Sequence, residues 1–317
     1  MKIFNIVLKS VLGFFSGIFI ILFVFVFSLN LIKFAIYSDY YSIEKEVCMN
    51  PGLNQGMVPQ GIAVSEEQDL ILTSGYMKDN SASRIYITNT KNKTKYVELY
   101  KDSKKFTGHV GGIALEGDNV YIADGSKVYV LSLKALLAAD GKIELKKSFS
   151  TKFTNFSHSA SFAYANGDYV YIGEFHDGGQ YITKNKIEMD GITHYSICSV
   201  FHKDDLTKPV KIYSLPNKVQ GFCLTDDGTV VLSTSYGLAN SQYYIYMPEA
   251  IKKHPNDYHG IPVYFLGEPT KLVKGPAMSE DLSYANGKVY CMTESACDKY
   301  IFGKFFFANS IYTLDVE

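Results

Sequence analysis

Apolar and polar positions along this chain fall into two regimes. From Val11 to Ile32 the sequence is apolar except for Ser16, Ser28 and Asn30, and it carries no charge. Coiled as a helix, such a run is long enough to cross about 30 Å of hydrocarbon. From Glu44 onward, short runs alternate between apolar and polar residues with period two and are separated by Gly, Asn and Asp. That is the pattern of half-buried strands, with almost no helical signal. Five stretches align on one template of strand, polar turn and strand: Gly61 (GIAVSEEQDLILTSGY), Gly112 (GIALEGDNVYIADG), Ser161 (SFAYANGDYVYIGEF), Gly221 (GFCLTDDGTVVLSTSY) and Asp281 (DLSYANGKVYCMTES). Their start-to-start spacings of 51, 49, 60 and 60 residues are of the kind that marks solenoids or propellers. The chain therefore reads as all-β: a five-bladed β-propeller preceded by one transmembrane helix.

Naming the strands a to d from the axis outward, four blades fill from the sequence in order. Blade 1 takes Gly61 to Val64, Leu70 to Ser74, Arg84 to Thr88 and Tyr96 to Tyr100. Blade 2 takes Ile113 to Leu115, Val120 to Ala123, Lys127 to Leu133 and Ile143 to Phe149, with one helical turn expected at Ala135 to Ala139. Blade 3 takes Phe162 to Tyr164, Tyr169 to Gly173, Tyr195 to Phe201 and Val210 to Leu215, and blade 4 takes Phe222 to Leu224, Val230 to Thr234, Tyr243 to Met247 and Val263 to Leu266. Blade 5 has only Leu282 to Tyr284, Val289 to Thr293 and Ser310 to Val316, so its outer strand must come from Glu44 to Met49. Pairing the first and last segments closes the ring and removes an exposed edge. Residues 1–37 are then a membrane anchor, 38–43 a linker and 44–317 the propeller. Strand d runs from the bottom face to the top, which predicts that the tether joins at the bottom and the top face looks away from the bilayer.

Composition changes this picture little. Net charge is −1, from 31 Lys plus Arg against 32 Asp plus Glu; a nucleic-acid partner would need a concentrated basic face. Lys2 and Lys9 precede the apolar run and Lys33 alone closely follows it, which favours a cytoplasmic N-terminus and an extracytoplasmic propeller on a single-pass cell-membrane protein. No small-x-small cleavage site follows Ile32, against a removed signal peptide. Five cysteines in an exported chain leave at least one unpaired. Cys291 and Cys297 are close enough for a local disulfide, with free buried thiols as the alternative.

The candidate chemistry lies where strand a begins and strand b ends, because the template brings these positions of all five blades to one face around the axis. The entry positions hold Gln60, His109, His158, Gln220 and Glu280 with Asp281; the exit positions hold Ser74, Asp124, Glu174, Thr234 and Glu294. If Asp124, Glu280, Asp281 and Glu294 meet, their oxygens suit Ca²⁺ or another hard divalent cation, and mixed histidine and carboxylate ligands would suit a transition metal. Alternatively Glu280 or Glu174 acts as a general base beside His158. Gln60, His109, Gln220, Ser74 and Thr234 would contact a small-molecule, glycan or peptide ligand. The plain structural reading is that these groups cap strand ends and hold water in the tunnel. Two same-face loops are long: His176 to His194, and Ser295 to Asn309. The second offers either an aromatic wall at the mouth or, in Phe302, Phe305, Phe306 and Phe307, the start of strand c. Phosphate-loop, His-Glu-x-x-His and Gly-x-Ser-x-Gly signatures are absent.

The stretches VPQGIAV, LTSGY, SRIYI, QGFCLTDDGTVVLSTSY and SEDLSYANGKVY resemble blades of the five-bladed propellers similar to plant-type glutaminyl cyclases, and of lactonase-like and NHL-type propellers. The resemblance implies a five-bladed ring with its site at the axial mouth. In the cyclases it implies a glutamate at the start of the second blade and tryptophans around the pocket; here GHVGGIA places Val110 and Gly111 there, and the chain has no Trp. Three functions follow as expectations: a membrane-anchored ligand binder at the mouth with a divalent cation, a metal-assisted hydrolase or cyclase at the same mouth, or an envelope scaffold with an inert centre.

Overall fold

A computed structural model describes residues 2–316 except 66 and 90, so the extreme ends of the anchor and propeller ranges lie outside the described residues. Five blades, each built on four antiparallel strands, surround one axis. Blade 1 comprises Met57–Ser65, Leu70–Met77, Arg84–Thr88 and Thr94–Lys101, and blade 2 Gly112–Glu116, Asn119–Asp124, Lys127–Ser132 and Lys147–Ser150. Blade 3 is Phe162–Asn166, Tyr169–Gly173, Ser196–His202 and Lys211–Leu215, and blade 4 is Val219–Leu224, Val230–Thr234, Ser241–Tyr246 and Lys271–Gly275. In blade 5, Ser279–Ala285, Lys288–Thr293 and Ser310–Leu314 are completed by Glu44–Met49, paired antiparallel with Ser310–Leu314. The ring closes between chain ends as the sequence requires.

Two outer strands differ from expectation. Val263–Leu266 was expected to finish blade 4 but adds to blade 3, parallel to Lys211–Leu215. The segment VYFL is too apolar for a strand with one wet face; Val263 and Phe265 bury against Ile187, Ile197 and Ile212. Lys271–Gly275, which exposes both lysines and buries Val273, takes the outer place in blade 4. Similarly Lys142–Glu144 pairs in parallel with the outer strand of blade 1, and only Lys147–Ser150 completes blade 2. A short helix, Leu133–Ala138, precedes them, with the Ser132 side chain accepting from the Ala135 amide as its cap.

Aromatic side chains pack the wedge between blades. Tyr164, Tyr171, Tyr213 and Phe222 bury together with ring centroids 5.2 to 6.4 Å apart; each large buried side chain contributes about 1.5–3 kcal/mol. All five cysteines are free and buried, so Cys291 and Cys297 form no disulfide.

The apolar run is a helix, α1, Lys2–Ile36, whose stretch Lys9–Ile36 is long and apolar enough to cross a membrane. A short helix, α2, Ser38–Ile43, then docks on the propeller: Tyr40 is buried and stacks on Tyr243 at 5.7 Å. The orientation expected from strand d alone is corrected here. Glu44 does sit at the bottom, opposite Leu314, and Met49 at the top, opposite Ser310. However, α2 enters from the top. Tyr37 donates to Asn240 Oδ1 at 2.7 Å and Lys33 lies 5.3 Å from the Phe307 ring, and both partners sit in loops joining strands b to c. The apolar helix therefore leaves from the same face as the candidate mouth.

Candidate functional site

The inner strands first seal the axis. At the template position equivalent in all five blades stand Gly61, Gly112, Ser161, Gly221 and Asp281. A Cβ at Gly112 would lie 2.3 Å from the Ala163 amide nitrogen, and one at Gly221 would lie 2.6 Å from that of Leu282; any side chain there would force the blades apart. The fifth position fills the space the glycines leave. Asp281 is fully buried; its Oδ2 accepts from the Ile113 amide at 3.2 Å, with the Leu282 and Ile62 amides also directed at the carboxylate. Burial pushes its pKa well above the usual carboxylate range, opposed by those amides.

Above the seal lies a cavity of about 620 Å³. Strand a carries a β-bulge at its start in three blades, between Pro59 and Gly61, between Val219 and Gly221, and between Ser279 and Leu282. A bulge leaves a residue out of the ladder and re-aims its side chain. It is these residues, Gln60, Gln220 and Glu280, that line the cavity, joined by His109, Asp124 and Glu294. Val110, whose neighbouring loop supplies His109, holds φ at +48°, a strained value for a β-branched residue; its amide donates to Asp124 Oδ1 at 3.1 Å.

The acids at the mouth are unequal to ordinary surface carboxylates. Burial raises the pKa of Glu280 well above its usual range, and the charges of Glu294 and Asp281 raise it further. Burial also raises Glu294, while a 2.9 Å hydrogen bond from Gln60 and the nearby Lys299 act the other way. Neighbouring buried carboxylates resist ionising together, so burial and like charge both disfavour the doubly ionised pair. Beside it His109 stacks on Tyr76 at 4.8 Å, and burial holds its imidazole below the usual range. Tyr76 is 3.5 Å from the Tyr300 hydroxyl and accepts from Lys299 at 2.6 Å.

Five expected site residues do not line the cavity. Ser74 donates to the Val110 carbonyl and Thr234 to that of Gln242. Glu174 is buried beneath the rim, accepting from Asn185 at 2.7 Å and from the Ile197 amide at 3.2 Å; burial lifts its pKa to about 8 against these bonds. His158, buried with Nδ1 on the Ser159 carbonyl, is lowered by burial to about 4. Asp281 belongs to the seal. Consequently the expected cation set of Asp124, Glu280, Asp281 and Glu294 does not converge: among the described residues no three His, Cys, Asp or Glu side chains gather as metal ligands. The donor set does not fit Ca²⁺, and Glu174 and His158 are not placed to act on a molecule in the mouth.

Sequence reasoning missed part of the wall. Phe175, Tyr181 and Tyr236 form an aromatic side, with Phe175 5.5 Å from Tyr181 and 6.1 Å from Tyr236, and Ser159, Ser161 and Ser235 supply hydroxyls. Ser159, Phe175, Ser235 and Tyr236 stand one or two places after an entry or exit position, whereas Ser161 stands three places after one and Tyr181 within the His176 to His194 loop. Tyr300 comes from the Ser295 to Asn309 loop, which forms a short helix, Ile301–Phe306; Phe302 and Phe305 are exposed there and do not begin strand c.

No family model and no curated protein matches the chain. Among solved structures it is similar to propeller proteins. A PQQ-bound aldose sugar dehydrogenase from Streptomyces coelicolor shares 15% identity at a TM-score of 0.45, over 79% of this chain and 77% of that one. A gluconolactonase from Xanthomonas campestris shares 10% at 0.41, over 86% and 94%. Hydrazine synthase of Kuenenia stuttgartiensis shares 10% at 0.40, over 74% of this chain and 55% of its own length. Likeness at this level concerns the ring of blades and not what the mouth binds.

Proposed function

We propose that this protein is a propeller tethered to the cell membrane by α1, with its mouth binding a neutral polyhydroxylated ligand such as a sugar. The observation that carries the reading is the buried pair Glu280 and Glu294 facing one cavity beside Gln60. Two buried acids whose ionisation is disfavoured, two amides and three serine hydroxyls line the mouth with donors and acceptors, which suit hydroxyl groups. The tyrosine side can cover the apolar face of a sugar ring. An extracytoplasmic propeller follows from the lysine distribution around α1. Alkaline carbonate extraction tests the tether: the full chain stays with the membrane pellet, and release into the supernatant would refute it.

Calorimetric titration of the full chain in detergent with a panel of neutral monosaccharides, and with small organic amines as the contrasting probe, tests the ligand class. Sugars bind the wild type, and Glu280→Gln weakens them about tenfold, or about 1.4 kcal/mol. Amines binding in place of sugars would show that the pair is ionised and that the reading is wrong. A second reading, catalysis, is favoured by the raised carboxyl of Glu294, which suits a general acid near neutral pH. It expects slow hydrolysis of a glycoside or lactone panel that is lost in Glu294→Gln.

A further inference from the structure

Large apolar side chains on the mouth face are exposed where a soluble surface would bury or lack them. Ile182, Tyr236, Leu238, Ile301, Phe302 and Phe305 all lie in the loops joining strands b to c of blades 3, 4 and 5, with Ile182 71%, Ile301 71% and Phe302 69% exposed. Toward the opposite face the exposed apolar residues, Leu137, Tyr169, Val210, Met247, Tyr96 and Leu272, are scattered over separate connections and outer strands, none more than 48% exposed. Contiguous apolar exposure of the first kind marks an interaction surface. The arrival of α1 says which surface covers it: Lys33 sits at 5.1 Å from the Phe34 ring and 5.3 Å from that of Phe307, next to Ile301–Phe306. Interfacial side chains of this kind, with tyrosines and lysines at their edge, match the boundary between head groups and acyl chains. Lys218 and Lys299 lie over Tyr236 and Tyr76 on the same side.

We infer that the mouth face rests on the bilayer that holds α1, with the apolar loops of blades 3 to 5 inserted at the interface. The helix cannot leave from this face and span the membrane while the propeller hangs freely below it, because α2 fixes the junction: Tyr37 is bonded to Asn240, and Tyr40 is packed against Tyr243. Six residues of docked helix leave no slack for the ring to turn over. The inference rests on the reading of α1 as a span. Its consequence for the ligand rests on the reading of the mouth: the sugar is then the head group of a membrane amphiphile whose acyl part stays in the lipid, entering sideways from the interface.

The test uses the full chain in lipid nanodiscs carrying nitroxide-labelled lipids, with an environment-sensitive fluorophore attached in turn to Phe23→Cys, Phe302→Cys and Asp168→Cys; the five native cysteines are buried. Lipid nitroxides quench the label at position 23 in mid-membrane and the one at 302 at interfacial depth, and leave the one at 168, on the opposite face, at its unquenched intensity. Quenching at 23 with none at 302 overturns the inference while the tether stands. No quenching at 23 overturns both. Quenching at 168 in place of 302 means the ring sits the other way up.

Discussion

Glu280 and Asp281 are adjacent in the chain, both buried, both acidic, and they belong to different regions of the molecule. Asp281 lies in the seal, its carboxylate met by backbone amides from three blades. Glu280 is turned by the bulge into the mouth, where its neighbours are another acid, Glu294, and an open cavity. Burial alone therefore does not mark function. A buried acid that accepts from a backbone amide is part of the ring's structure; one whose environment is a like charge and a cavity has no such partner, and under the proposed function a ligand supplies it.

Removing the seal has the largest effect. Asp281→Ala takes the acceptor from the buried Ile113 amide, which costs about 1–3 kcal/mol, and unfolding in detergent shifts by that amount. Asp281→Asn, which keeps an acceptor oxygen and the shape, loses less than about 1 kcal/mol. If both variants behaved alike, the seal would be mere filling.

The acids separate again with pH. Glu174 has a folded pKa of about 8, above its unfolded value. Folding therefore takes up a proton in that window: the stability this group contributes is full below the ordinary carboxylate range and is lost as pH rises to about 8, with a slope of up to about 1.4 kcal/mol per pH unit. Denaturant titrations at several pH values show that slope in the wild type and a flatter one in Glu174→Gln. His158 has the opposite sign: its lowered pKa, about 4, removes stability as pH falls from the usual imidazole range toward that value.

Variants within the mouth leave the fold nearly untouched. Glu280→Gln relieves one like-charge contact, so stability stays within about 1 kcal/mol of wild type or rises slightly, while sugar binding falls about tenfold by calorimetry. Tyr300→Phe removes one hydroxyl and costs binding only a few-fold, or about 1 kcal/mol.

The ring was legible because period-two alternation and the repeated template follow from burial of one face and need no tertiary information. The strand exchange at Val263–Leu266 was not, because which blade edge receives an apolar strand depends on neighbours far away in sequence, here Ile187 and Ile197. The entry residues Gln60, Gln220 and Glu280 were legible at the mouth, whereas Asp281 was misplaced beside them: the bulge that splits the pair has no sequence signature beyond its location. Glu174 and Ser74 reached the right height, but at the end of strand b the alternation points them into the blade. The orientation of the tether was misread from strand d because α2 carries the chain back to the upper face through Tyr37 and Tyr40, an excursion hidden in six residues.

That burial and the neighbouring Glu294 favour the protonated form of Glu280 above the sealed axis is tested most directly by infrared difference spectroscopy of wild type against Glu280→Gln at neutral pH. A protonated carboxyl band is expected in the wild type, disappearing in the variant and shifting when a monosaccharide is added. Two ionised carboxylates in the wild type, with no protonated band lost on substitution, would contradict it.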